Sequence, residues 1–157
     1  MKKCILCDID GVLVDSSKWL PYVPANREDR VGWDVFAQVS NLCTPNKPMI
    51  TIIGILGAMF PIIFVTSREN SDVLRKATEK QLDEFSNGLL RVGDKHKLLM
   101  RPYADYRDPW QVKKDLIEAE VLPNYIPVLA VDDEIDNIVM YKSLGIKTWY
   151  YTKLRKK

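Results

Sequence analysis

The sequence predicts a three-layer α/β fold, doubly wound about a mainly parallel sheet, with little or no cap domain. Strand-like runs recur as KCILCDI, PIIFVTS, GLLRV or KLLMR, PVLAVDD and IKTWYY, separated by segments of helical spacing, which is the βαβ order of a parallel sheet. The runs IIFV and VLAV lack polar alternation, as strands buried on both faces do. Polar clusters follow these runs directly, where an open α/β sheet places its ligand crevice.

The elements follow in order. Met-Lys-Lys leads straight into the strand CILCDID without a cleavable signal sequence. The stretch 16–47 is irregular, with Trp19, Tyr22, Trp33 and Phe36 among Pro21, Pro24, Asn26 and the charged run Arg27 to Arg30. It reads as a flap holding one helix, Val31 to Leu42, with Trp19 and Trp33 either anchoring it by packing or stacking on a nucleobase. PMITIIGILGAMFPIIFV carries no charge over 18 positions, close to the minimum for a membrane span. Pro61 divides it into a buried helix and a central strand, and Gly54 and Gly57 would let that helix pack closely. Helices are then expected over Asn70 to Phe85, over Trp110 to Glu120 with Asp108 as N-cap and Pro109 at the first helical position, and over Asp133 to Leu144, ended by Gly145.

With 157 residues and 46% hydrophobic content, a single domain covering 1–157 is expected, with the flap as its only insertion. The 23 Lys and Arg nearly cancel the 21 Asp and Glu, so any preference for anions is local. The basic run Lys153 to Lys157 reads as a solvated terminus or a polyanion contact. Three cysteines and no signal sequence suggest a reducing, cytoplasmic setting without membrane association. Cys4 and Cys7 point to opposite faces of a strand, which argues against zinc. His96, between Lys95 and Lys97, reads as a surface loop residue.

Four clusters carry candidate chemistry. In Asp8-Ile9-Asp10-Gly11, two carboxylates at a strand end can converge on one crevice, or merely close a polar turn. Thr66-Ser67-Arg68 supplies hydroxyl and amide donors before a helix, an anion site or an ordinary N-cap. Lys113, with Lys114 beside it, would offset a carboxylate meeting a phosphate, although most helix lysines are simply solvated. Asp132-Asp133 after VLAV is costly without a cation, unless Asp133 caps the next helix and Asp132 faces water.

Taken together and in this order, the clusters resemble the motifs of the haloacid dehalogenase superfamily: DxDGx(V/T), a hydrophobic run ending in Thr or Ser, a lysine, and a late DD. The chain is most similar to the phosphatase domain of phage polynucleotide kinase/3′-phosphatases, through VTSREN, MRPYADYRDPWQVKKDLI and LAVDDEIDNIVMYKSLGIKTW. The kinase P-loop pattern GxxxxGK(S/T) does not occur, and the early flap departs from the group.

The resemblance implies that Asp8 is the nucleophile, forming an aspartyl-phosphate, and that Asp10 protonates the leaving oxygen and then activates water. It implies Mg²⁺ held by Asp8, the Asp10 carbonyl and Asp132, with Asp133 completing the acidic site through a metal-bound water or by holding Lys113. Thr66 and Lys113 would bind phosphate oxygens, and Ser67, Arg68, Arg101 and Arg107 would recognise substrate. A polynucleotide 3′-phosphate is the favoured substrate, with a (deoxy)nucleoside monophosphate as alternative and a catalytically idle binding module as the reading from another class. No obligate protein partner is expected, and a phage-encoded protein would work in the host cytoplasm.

Overall fold

The computed structural model describes residues 1–152, so the basic run Lys153 to Lys157 lies outside the described residues. Five parallel strands form the sheet: β1 (Lys2–Cys7), β4 (Ile62–Glu69), β5 (Lys97–Arg101), β6 (Tyr125–Asp132) and β7 (Thr148–Tyr150), in spatial order β5-β4-β1-β6-β7. A two-residue ladder, β2 (Val14–Asp15) against β3 (Thr44–Pro45), closes the base of the flap.

Helices cover both faces, as the unalternating strands require. On one face, α2 (Lys47–Met59) and α3 (Asp72–Phe85) bury Ile53, Leu74 and Leu82 against Ile5, Cys7 and Phe64. On the other, Ile117 and Val121, in a π-turn that continues α4 (Pro109–Leu116), join Met140 and Tyr141 of α5 (Ile135–Ser143) over Leu6, Ile63 and Ala130. Cys4 and Cys7 fall in opposite cores, and all three cysteines are free thiols. Among the described residues no helix is long and apolar enough to cross a membrane.

Several boundaries differ from expectation. The flap helix α1 (Arg30–Gln38) stops early, and Ser40–Leu42 forms a separate 3-10 turn. The helix expected over Trp110 to Glu120 changes to π geometry after Leu116, and α5 begins at Ile135, because Asp132 accepts from the Glu134 amide and Asn137 instead. Asp108 occupies the N-cap position of α4, but its carboxylate accepts from Arg27 rather than from the helix. KLLMR is an edge strand; GLLRV is not, since Asn87 and its own Gly88, both at positive φ, turn the chain at its start.

His96 is buried, contrary to the surface reading. Its Nδ1 accepts from the Ile62 amide at 3.0 Å, and its Nε2 lies 3.1 Å from the Leu89 carbonyl. Gly57 of α2 makes the room: a Cβ there would stand 3.2 Å from the imidazole Cε1.

Topology decides where the site must be. The chain leaves β1 toward the α2 face and leaves β6 toward α5 on the opposite face. The two strands are neighbours, so a crevice opens between their carboxyl ends.

Candidate active site

Asp8 follows β1, and its amide donates to the Val131 carbonyl at 2.9 Å, tying the end of β1 to β6. The chain then turns tightly: the amides of Val12, Leu13 and Val14 all donate to the Ile9 carbonyl. Gly11 holds φ +80° in this turn, and a Cβ there would stand 1.9 Å from Asp133 Oδ2. Glycine therefore serves twice, giving the left-handed turn and letting the β6–α5 loop approach.

Lys113 joins the two strand ends. Its Nζ donates to Asp8 Oδ1 at 2.9 Å and to Asp132 Oδ2 at 2.8 Å. Exposure is 6% for Asp8, 1% for Lys113 and 0% for Asp132, so these charges are held away from water and need one another. Lys114 points outward, 3.8 Å from Glu118, which settles which lysine faces the site.

The acidic pair divides its work. Asp132 Oδ2 accepts from Lys113, and Oδ1 accepts from the Glu134 amide at 3.0 Å and from Asn137 Nδ2 at 3.1 Å. Asp133 is half-buried, and an oxygen of its carboxyl lies within 4.8 Å of one of Asp8. Burial pushes the Asp8 carboxyl well above the usual carboxylate range; Lys113 opposes this, and Asp132 and Asp133 add to it. Burial likewise raises Asp133. Oxygen atoms of Asp8, Asp132 and Asp133 all lie within 4.8 Å of one another. Hard oxygen donors with surplus negative charge fit a magnesium ion.

Asp10 is set apart from this cluster. Arg68 Nε and Nη2 donate to its two oxygens at 2.9 and 2.7 Å, and the Ser16 hydroxyl also donates to it. Burial pushes the Asp10 carboxyl up, but the Arg68 guanidinium and these hydrogen bonds more than offset it, holding Asp10 below its ordinary value. Arg68 is itself buried: Nη1 donates to Thr78 and Gln81, and the guanidinium lies 4.8 Å from the centre of the Trp19 ring. Trp19 stacks on Phe36 at 4.0 Å, so it is a packing anchor of the flap.

The other expected residues lie around this centre. Thr66 is buried within β4, where the pairing with β5 becomes irregular, and its hydroxyl oxygen accepts from the Arg68 amide. The Ser67 carbonyl accepts from Arg101, whose Nη1 donates to the carbonyls of Asp105 and Arg107, so Arg101 organises the loop after β5. Arg107 pairs with Asp105 and Asp115 on the surface. The flap is pinned across this region by Arg30 to Glu69 at 2.8 Å and Arg27 to Asp108 at 3.0 Å. Two surface hollows, one lined by Lys2, Lys3 and Phe60 and the other by Gly54, Gly57 and Leu89, include none of these site residues.

Sequence reasoning missed Ser16, Gln81 and Asn137. Only Asn137 left a trace, as a polar residue in the helical phase of buried Met140 and Tyr141.

A family model described as the polynucleotide kinase PNKP phosphatase domain matches residues 2–153. The chain belongs to that family. Two solved structures, titled as the Pnkp1/Rnl/Hen1 complex and the Pnkp1/Rnl/Hen1 RNA repair complex, each match this PNKP-type domain with a TM-score of 0.72 and 22% identity. Each match covers 96% of this chain but only 46% and 42% of theirs, so the domain spans less than half the length of those relatives. A haloacid dehalogenase-like hydrolase, SP0104 from Streptococcus pneumoniae, matches with a TM-score of 0.58 and 12% identity over 96% of this chain and 85% of its own. At these identities the likeness to solved structures is one of fold. No curated protein matches the sequence.

Proposed function

We propose that this domain is a Mg²⁺-dependent phosphomonoesterase that works through an aspartyl-phosphate on Asp8. The observation that carries this is Lys113, buried between Asp8 and Asp132 with the Asp133 carboxyl beside them. A buried lysine serving two carboxylates is an expensive arrangement for stability alone, and a nucleophilic carboxylate that must meet an anionic phosphate needs it.

In the first half, an Asp8 oxygen attacks phosphorus, the bond to the leaving oxygen breaks, and that oxygen takes a proton from Asp10. In the second, Asp10 removes a proton from water, the water oxygen attacks phosphorus, and the bond from Asp8 to phosphorus breaks, releasing phosphate. The Arg68 clamp favours anionic Asp10, the form required in the second half. The first half draws on the minor protonated form. Lys113 and the Thr66 hydroxyl would neutralise and orient the phosphate oxygens. Mg²⁺ would be held by Asp8, the Asp10 carbonyl and Asp133, and when bound it offsets the repulsion between Asp8 and the phosphate. We assign Asp132 to holding Lys113, since both its oxygens already have donors. Arg68 is read as holding Asp10 rather than meeting substrate. Ser67, Arg101 and Arg107 would shape the rim.

For the substrate, we favour a polynucleotide 3′-phosphate end. The family match and the lack, among the described residues, of an obvious cap over the carboxyl ends of the strands both support an extended substrate. The alternative is a 5′(3′)-nucleotidase in which the flap partly covers a mononucleotide. An idle binding module of this fold is the reading against both.

Hydrolysis of a chromogenic phosphate ester with Mg²⁺ by wild type and by Asp8→Asn tests the enzyme. Turnover that depends on metal and on Asp8 is expected, and its absence would sink the proposal. Comparing a 3′-phosphorylated oligonucleotide with 3′- and 5′-mononucleotides tests the substrate; strong preference for mononucleotides would remove the polynucleotide reading.

A further inference from the structure

Arg68 has five N–H donors and spends them in two directions. Nε and Nη2 face Asp10, and Nη2 also lies 3.8 Å from Cys43 Sγ. Nη1 faces α3, donating to Thr78 Oγ1 at 3.0 Å and to Gln81 Oε1 at 2.9 Å. The Thr78 hydroxyl is already committed to its own helix, donating to the Leu74 carbonyl at 2.7 Å. Gln81 is different, because its other end leaves the helix: Nε2 donates at 2.9 Å to the carbonyl of Ser40, in the 3-10 turn of the flap.

One side chain therefore connects the flap to the guanidinium that orients Asp10. A planar guanidinium bound at both ends cannot rotate without breaking a bond at each, so the acceptors on α3, Thr78 and Gln81 together, set the plane in which Asp10 is held, and of the two only Gln81 also reaches the flap. We propose that Gln81 is a positioning residue for Asp10, acting through Arg68 and linking that alignment to the seating of the flap at Ser40. The inference rests on the phosphatase reading above. Gln81 touches neither Asp10 nor Asp8; it acts only through its neighbour.

Gln81→Leu removes both bonds, whereas Gln81→Glu keeps an acceptor for Arg68 and loses the donor to Ser40. Two readouts on the full chain apply: kcat and KM on a chromogenic phosphate ester with Mg²⁺, and the Arg68 Nε–H signal in ¹H–¹⁵N spectra, assigned by its loss in Arg68→Lys. Gln81→Leu is expected to lower kcat about tenfold with KM changed less than about twofold, and to broaden the Arg68 signal, as a misoriented catalytic group would. Gln81→Glu is expected to retain the signal and to restore kcat to within about threefold of wild type, while amides of the flap turn exchange faster. Should Gln81→Leu not fold, Gln81→Met replaces it with the same expectation.

Equal impairment by the Leu and Glu variants would make Gln81 a flap strut and overturn the proposal. So would an unchanged kcat and Arg68 signal in Gln81→Leu. Failure of the phosphatase reading looks different: wild-type turnover would be absent or would survive Asp8→Asn, and the Arg68 signal would still decide the role of Gln81.

Discussion

The ammonium of Lys113 stands 2.9 Å from Asp8 Oδ1, and both side chains are buried. Burial costs the ammonium its hydration, but Asp8 and Asp132 more than offset this and raise its pKa well above the ordinary lysine value. It is a fixed positive charge. Lys113→Met would strand two carboxylates, and by the usual cost of breaking a buried ion pair it should lose about 3–5 kcal/mol of stability. Activity should fall roughly 10²–10³-fold, as when an oxyanion donor is removed. Lys114→Met should change stability by less than about 0.5 kcal/mol. Urea unfolding and turnover of the two variants check this, and equal effects would contradict the inward placement of Lys113.

Asp133 and Asp132 should separate in a magnesium titration. Asp133→Asn is expected to raise the Mg²⁺ concentration for half-maximal turnover at least about tenfold, since it removes a charged oxygen donor beside Asp8. Asp132→Asn should chiefly lower kcat, because it loosens Lys113. Gly11→Ala should imitate the Asp133 variant, its Cβ lying 1.9 Å from Asp133 Oδ2, and the left-handed turn should cost roughly 1–2 kcal/mol besides. If Asp132→Asn moves the magnesium requirement and Asp133→Asn does not, the two roles are exchanged.

His96 gives stability a pH dependence of known sign. Burial lowers its pKa below 6.5, although the Leu89 carbonyl opposes the shift. The unfolded chain then takes up a proton that the folded chain refuses. The contribution is fully present above the unfolded value and is lost as pH falls through the lower folded one. Urea midpoints from pH 8 to pH 5 should therefore fall more steeply for wild type than for His96→Asn. Parallel curves would show that the imidazole does not titrate in this range.

Much of the candidate site was legible because strands buried on both faces announce their own ends. Asp8, Thr66 and Asp132 were each found as the first polar residues after an unalternating apolar run, and a parallel sheet brings such ends to one side. Neighbouring lysines were not separable this way. Residues i and i+1 of a helix point about 100° apart; the resemblance put the lysine at Lys113, and the packing of α4 on the sheet is what turns that side chain inward and leaves Lys114 outside. His96 misled for a similar reason: Lys95 and Lys97 give it a surface composition, while the gap at Gly57 and the Ile62 amide draw it inward.

By itself, then, the sequence determined the layered α/β architecture, the strand ends and the identity of the carboxylates, because hydrophobic periodicity and strand-end polarity are local properties. The tertiary structure alone decided the pairings: Lys113 with Asp8 and Asp132, Asp133 beside Asp8 in the space left by Gly11, and Arg68 turned onto Asp10 with Gln81 behind it. These depend on which elements pack together across the sheet. Geometry and desolvation set them, and neither is written in the spacing of residues along the chain.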